Sequence, residues 1–265
     1  MSTLFGTDLD RTLIYSKRAR ELGGLHDAPE PQQVCVEIHD GKQASFVTAE
    51  AAAILVTLAE RGQVVPVTTR IYEQYRRVKL PGIQPKYAVT TNGGELLIDG
   101  EPDRGWAKSV AKRMKGSFPL DEVWEQASHV CHPEFTVKLR NAADLFCYAV
   151  VRTKHLPSGF VDDVSGWAAE RGWRTSLQGR KLYWVPDSLT KSAAVLEVAQ
   201  RMQADRVLAA GDSLLDVDLL LAADLGIHPR HGELWEQGWS APSVSCTSAS
   251  GVLAGEEIVR WFANA

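Results

Sequence analysis

The sequence predicts an α/β protein, a doubly wound parallel sheet with an α+β domain inserted into it, and three observations carry that expectation. Short apolar runs ending in polar loops, at Thr3 to Thr7, QVVPVT, KYAVTT, RVLAAG and DLGIHP, alternate with helical patterns, as in chains that build parallel sheets. Acids, hydroxyls and a lysine stand where those strands give way to loops or helices, the edge at which such sheets bind ligands. Between Glu95 and Tyr183 the character changes: EFTVKL and LFCYAVV alternate with helical stretches, and Trp106, Trp124, Trp167, Trp173 and the adjoining Trp184 collect there. The expected boundaries are 1–94 and 184–265 for the core and 95–183 for the insert.

Along the chain, Thr3 to Thr7 runs directly into acids, as a buried strand ending at a polar loop would. VCVEIH and ASFV flank Asp40-Gly41, a dipeptide suited to positive φ, so residues 33–47 read as a β-hairpin flap. Thr48 is placed to cap a helix whose Ile54, Leu55 and Leu58 share a face, with Gly62 as its stop. Pro66 removes a ladder donor from QVVPVT and counts against a regular central strand. A helix is expected from about Ile71 to just before Pro81, and KYAVTT leads into the turn Asn92-Gly93-Gly94. After the insert, helices are expected at Ser192 to Met202 and Leu214 to Ala222, and Ser240 to Ser250 reads as loop with a short strand through Val244.

With 265 residues and 45% hydrophobic content the chain can bury a sizeable core, which excludes global disorder. Lysine plus arginine number 29 against 33 acids, a balance that gives no broad footprint for nucleic acid and suits a small-molecule partner. No apolar run approaches the ~18 residues of a membrane span. MSTLFGTDLDRTL has no secretory pattern, and Cys35, Cys131, Cys147 and Cys246 form no CxxC pair, so reduced thiols in a cytoplasmic protein are expected. The sequence is silent on oligomeric state.

Four pieces lie at the predicted ligand edge: Asp8-Leu9-Asp10-Arg11-Thr12, Thr68-Thr69-Arg70, Lys191, and Gly211-Asp212-Ser213-Leu214-Leu215-Asp216. A lone DxD pair after a strand is as often a solvated or capping acid as a functional one. The ordered set is far more specific: an acidic pair after the first strand, a hydroxyl after a later one, a lysine opening a helix and GDSxxD after another strand.

This set resembles the haloacid dehalogenase superfamily, whose Rossmann-like core is a doubly wound parallel sheet and whose members mostly hydrolyse phosphate esters. The insert is similar to the large α+β cap that some members carry between the second and third motifs. Thr91-Asn92-Gly93-Gly94 and KLYWVPDSLTKSAAV resemble the branch containing sucrose-phosphate, mannosyl-phosphoglycerate and Cof-type phosphatases. The resemblance implies a Mg2+-dependent phosphatase that hydrolyses a small phosphorylated metabolite, a sugar phosphate foremost, through an aspartyl-phosphate. It assigns Asp8 as nucleophile and Asp10 as general acid and base, with Thr68 and Lys191 on the equatorial phosphoryl oxygens. The metal would be held by Asp8, the backbone carbonyl of Asp10 and Asp212, with Asp216 direct or through water. Thr12, in a loop-orienting role, Thr69, Arg70, Asn92 and Gly93 are the substrate-side candidates. The residue types follow from the chemistry, since a phosphate dianion repels an attacking carboxylate until cations offset the charge.

Three positions depart from the family pattern: Arg11 stands where glycine is frequent, Thr69 replaces the glycine of TGR, and Leu215 replaces an asparagine. Arg11 is read either as an added cation near the phosphate or as a surface arginine; Arg70 either reaches a second anionic group of the substrate or makes a core salt bridge. His129, Cys131 and His132 fall short of a four-ligand zinc set and read as ordinary insert residues, the tryptophans as insert core, and Lys17, Arg18 and Arg20 as a solvated face. The insert is expected to close over the substrate and exclude water. The alternatives to a phosphatase are a phosphomannomutase-like phosphosugar mutase, a phospho-accepting module, and a binding protein that keeps the fold without the reaction.

Overall fold

The structure, a computed structural model, describes residues 2–22, 31–61 and 63–265. In chain order it runs β1 (Thr3–Thr7), β2 (Tyr15–Ser16), β3 (Gln33–His39), β4 (Lys42–Thr48), α1 (Ala49–Arg61), β5 (Gln63–Pro66), α2 (Tyr72–Tyr75), β6 (Tyr87–Thr90), β7 (Glu95–Ile98) and β8 (Glu101–Pro102). It continues with α3 (Arg104–Met114), α4 (Leu120–Val130), β9 (Thr136–Ala142), β10 (Phe146–Val151), α5 (Phe160–Ala169), β11 (Trp173–Gln178) and β12 (Lys181–Pro186). The last stretch is α6 (Lys191–Met202), β13 (Arg206–Ala210), α7 (Val217–Ala222), β14 (Leu225–His228), α8 (Glu233–Glu236), β15 (Val244–Cys246) and α9 (Gly251–Asn264). Two compact units emerge, Met1–Asp103 with Lys191–Ala265, and Arg104–Thr190.

In the first unit β15-β14-β13-β1-β5 form a parallel sheet, the doubly wound arrangement that the strand and helix alternation predicts. Pro66 is tolerated because β5 lies at the end of that order, and the N–H that reaches β1 there belongs to Val67, which donates to the Thr7 carbonyl at 2.8 Å. Leu9, Leu13 and Ile14 anchor the loop after β1 in the core beneath, with Leu55 and Leu58 of α1 and Ile258, Val259 and Phe262 of α9. Phe262 meets Phe5 at 5.5 Å between ring centroids, worth ~1 kcal/mol beyond the area buried. Helix α1 starts where Thr48 Oγ1 accepts the Ala51 N–H at 3.0 Å, a cap worth about 1 kcal/mol. Its expected stop, Gly62, lies outside the described residues.

The flap forms as an antiparallel hairpin, β3 on β4, turning at Asp40 and Gly41 with φ of 50° and 70°. The helix expected from Ile71 to Pro81 is only the single turn α2. Beyond it the chain is drawn out against the flap, where Lys79 N–H donates to the Val36 carbonyl at 2.7 Å and Val78 bridges Glu37. The helix expected from Leu214 opens as a tight 3-10 turn over Leu214–Asp216 before α7 begins.

The first unit extends to Asp103 because β7 and β8 pair with β6 in a small sheet of their own. At the other end β12 pairs with β10 and β11, which keeps Tyr183 and Trp184 in the second unit. That unit is an antiparallel sheet, β11-β12-β10-β9, with α3, α4 and α5. Trp106, Trp173 and Trp184 are buried in it, and Trp173 Nε1 finds the Phe118 carbonyl at 3.0 Å. Among the described residues no helix is long and apolar enough to cross a membrane.

Candidate active site

The loop after β1 is short and tightly wound. Leu13 and Ile14 N–H groups both return to the Leu9 carbonyl, at 3.0 and 2.8 Å, so the buried leucine fixes the turn that sets Asp8 and Asp10 in place. Arg11 adopts φ 69°, the left-handed region that glycine enters freely. His231 braces it: Nε2 donates to the Arg11 carbonyl at 2.7 Å while Nδ1 accepts the Gly251 N–H at 3.1 Å. Burial pushes His231 down to about 4, so near neutral pH it is the uncharged tautomer that those partners require. Sequence reasoning missed this residue; its one signal was a histidine in the loop after β14.

Three of the four sequence motifs converge. Asp8, Asp212 and Asp216 are buried, and each offers a carboxylate oxygen within 4.8 Å of the others. Lys191, the first residue of α6 and itself fully buried, places Nζ 2.7 Å from Asp8 Oδ1 and 2.5 Å from Asp216 Oδ1. The other Asp216 oxygen accepts the backbone N–H groups of Asp212 and Ser213, at 3.1 and 2.9 Å, and the Ser213 hydroxyl at 2.7 Å. Position 211 is glycine because a side chain there would collide with Asp216, and position 232 because a Cβ would lie 2.6 Å from Asp212 Oδ2. Leu215, the departure from the family pattern, is buried and carries no polar group into the cluster.

The charges in this cluster do not balance. Burial would lower the Lys191 ammonium, but Asp216 and Asp8 overcome that and raise it, so it stays protonated. Burial pushes both Asp8 and Asp212 upward; Lys191 opposes the shift at Asp8, Arg11 opposes it at Asp212, and neighbouring carboxylates add to it at both. Asp212 Oδ2 is buried without a hydrogen-bond partner, with Arg11 Nε 3.6 Å away. An all-oxygen pocket with a surplus of negative charge and an orphaned carboxylate oxygen fits a hard divalent cation. His129, Cys131 and His132 form no comparable group among the described residues.

Asp10 belongs to a different set. Arg70 grips it with Nε on Oδ2 at 2.7 Å and Nη2 on Oδ1 at 2.8 Å, and reaches Glu37 with Nη1 at 3.0 Å. The guanidinium that the sequence offered to a second anionic group of the substrate is thus committed to the core salt bridge that was its alternative. Burial would lower the Arg70 charge, and Asp10 and Glu37 more than restore it. Thr68 is buried, and its hydroxyl oxygen accepts the Arg70 N–H at 3.1 Å. Thr69 is buried beside it. Asn92 and Gly93 sit in the turn after β6 with φ of 55° and 93°. Their turn buttresses the second motif, Asn92 N–H donating to Thr68 at 3.0 Å and Thr91 N–H to Arg70 at 2.8 Å. Thr12 Oγ1 is buried without a partner, and its carbonyl accepts the Tyr15 hydroxyl at 3.0 Å.

No protein-family model and no curated protein matches the sequence. Solved structures do match its fold. The sucrose-phosphatase of Synechocystis, solved with sucrose and phosphate, superposes with TM-score 0.65 at 15% identity over 99% of both chains. A Thermoplasma acidophilum protein matches with TM-score 0.60 at 15% identity, over 100% of this chain and 98% of that one. A protein from Bacteroides thetaiotaomicron, described among the phosphatases of the haloalkanoate (HAD) enzyme superfamily, matches with TM-score 0.55 at 14% identity over 99% and 96%. At such identities the likeness is one of fold.

Proposed function

We propose that this chain, which has the fold of the haloacid dehalogenase superfamily, is a Mg2+-dependent phosphatase that hydrolyses a small phosphorylated metabolite, a sugar phosphate foremost. One observation carries the reading: three buried carboxylates from the ends of two adjacent parallel strands lie together, two of them on one buried ammonium, and an oxygen of the third has no hydrogen-bond partner, only Arg11 Nε at 3.6 Å. The sugar-phosphate class is favoured by the fold likeness to the sucrose-phosphatase and to a trehalose-6-phosphate phosphatase related protein.

Asp8, Asp212 and Asp216, with the backbone carbonyl of Asp10, would hold the metal ion, whose charge offsets the repulsion between the phosphate dianion and Asp8. Lys191 fixes the Asp8 carboxylate through Oδ1 and adds positive charge to the same pocket. Asp8 attacks phosphorus, so that an Asp8 O–P bond forms as the bond to the leaving oxygen breaks. The Arg70 ion pair favours the carboxylate form of Asp10, so Asp10, whose side chain is 39% exposed, would take a proton from solvent and pass it to that oxygen. It then takes a proton from the water that cleaves the aspartyl-phosphate. Thr68 and Lys191 stabilise the equatorial oxygens.

The test is phosphate release from p-nitrophenyl phosphate and a panel of sugar phosphates with Mg2+ present. Asp8→Asn, close to isosteric, is expected to abolish release while leaving the fold intact by circular dichroism. Undiminished turnover in that variant overturns the assignment, and an isomerised sugar phosphate without free phosphate identifies a mutase instead.

A further inference from the structure

We infer that Glu37, on the flap hairpin, is a positioning residue that acts through Arg70 to aim the Asp10 carboxyl at the leaving oxygen. The inference rests on the phosphatase reading above and extends it to a residue outside the four sequence motifs.

Glu37 is an acid in an otherwise β-rich strand, and it is almost fully buried, at 4% exposure. Unpaired, such a carboxylate would cost several kcal/mol. The β3–β4 pairing shifts register on both sides of it, and such bulges re-aim side chains. Its partners are specific: the Ser45 hydroxyl donates to Oε2 at 2.6 Å, while Arg70 Nη1 and Arg77 Nε lie 3.0 and 3.2 Å from Oε1. Burial and Asp10 push Glu37 up, but the Arg70 guanidinium and the Ser45 hydroxyl outweigh them and hold it below its ordinary range.

The consequence follows from the shape of guanidinium, a rigid planar fork. Two corners of Arg70 hydrogen-bond the two oxygens of Asp10, and the third, Nη1, lies 3.0 Å from Glu37 Oε1 as an ion pair outside hydrogen-bond geometry. The fork ties the plane of the Asp10 carboxyl to that of Arg70, and the attraction of Glu37 for the third corner draws that plane toward the flap. Asp10 is the exposed end of this chain of contacts, while Arg70 and Glu37 are buried behind it. Among the described residues, the contact of Glu37 that leads to Asp10 runs through Arg70. Removing its charge leaves one corner of a buried guanidinium without a counterion, frees Arg70 to tilt, and lets Asp10 turn with it.

The experiment compares kcat/KM for an alkyl phosphate, whose leaving oxygen needs a proton as the P–O bond breaks, with that for p-nitrophenyl phosphate, whose phenolate departs without one. Glu37→Gln is expected to lower the alkyl value about tenfold or more and the aryl value less than about threefold. In an Asp10→Asn background the same substitution is expected to add no further alkyl loss, because the effect travels through Asp10. An equal loss on both esters, or an alkyl loss that persists without the Asp10 carboxyl, marks Glu37 as merely structural and overturns the inference. A parent protein that releases phosphate from neither ester overturns the phosphatase reading itself, and this inference with it. Should Glu37→Gln fail to fold, Ser45→Ala removes one hydrogen bond from Glu37 and keeps its charge; the same bias in a milder form supports the role, and an unbiased loss refutes it.

Discussion

Around Asp8, three carboxylates face one ammonium and one guanidinium, that of Arg11; around Glu37, two carboxylates face two guanidinium groups. Both clusters are largely buried and both draw on the loop after β1, yet they do opposite things with charge. The first leaves a carboxylate oxygen without a hydrogen-bond partner and pushes Asp8 and Asp212 up, as a pocket that an added cation would complete. The second holds Glu37 down and engages both oxygens of Asp10, so its charge is balanced within the chain. On the proposed reading, the first cluster binds and the second orients.

The largest effect that would sharpen this contrast comes from removing the one ammonium. Lys191→Met leaves Asp8 and Asp216 buried without their cation, and urea unfolding in the presence of a chelator should show a loss of about 3 to 5 kcal/mol. A variant as stable as the parent would mean that those carboxylates are not held against each other. Next, Mg2+ at one hundred times its dissociation constant should stabilise the parent by about 2.7 kcal/mol. Asp212→Asn should remove most of that gain and Glu37→Gln none of it; a Mg2+ response lost equally in both variants would erase the distinction between the clusters.

The smallest effect is a pH dependence confined to the second cluster. Because the folded-state pKa of Glu37 lies below its ordinary 4.5, its ionisation contributes stability that is fully present above that value and is lost as pH falls through the lowered one. The stability difference between the parent and Glu37→Gln should therefore hold at neutral pH and narrow below about pH 4.5. A difference that stays constant down to the acid limit would show that Glu37 gains nothing from its arginines.

Legibility in the sequence followed the range of the interaction. The strands, the flap turn at Asp40-Gly41 and the Thr48 cap were readable because alternation, turn chemistry and capping act within a few residues. The helix from Ile71 was overextended for the opposite reason: its periodicity continues to Pro81, but contacts at Val36 and Glu37 pull that stretch away. The carboxylates were legible as a set because Asp8 follows β1 while Asp212 and Asp216 follow β13, parallel neighbours whose ends lie together, and Lys191 was legible as the residue that opens a helix. Glu37 was not, because nothing local distinguishes a flap acid that solvates from one that pairs with Arg70.

By itself the sequence determined the alternation that winds the parallel sheet, the insertion that interrupts it, and the order of acids, hydroxyl and lysine along it. Only the tertiary structure decided that Arg70 pairs with Asp10 and Glu37, that His231 braces Arg11, and that Asp212 keeps an oxygen without a hydrogen bond. The physical reason is that strand and helix propensities act between near neighbours, whereas the pairing of buried charges depends on which distant groups leave water in the same place.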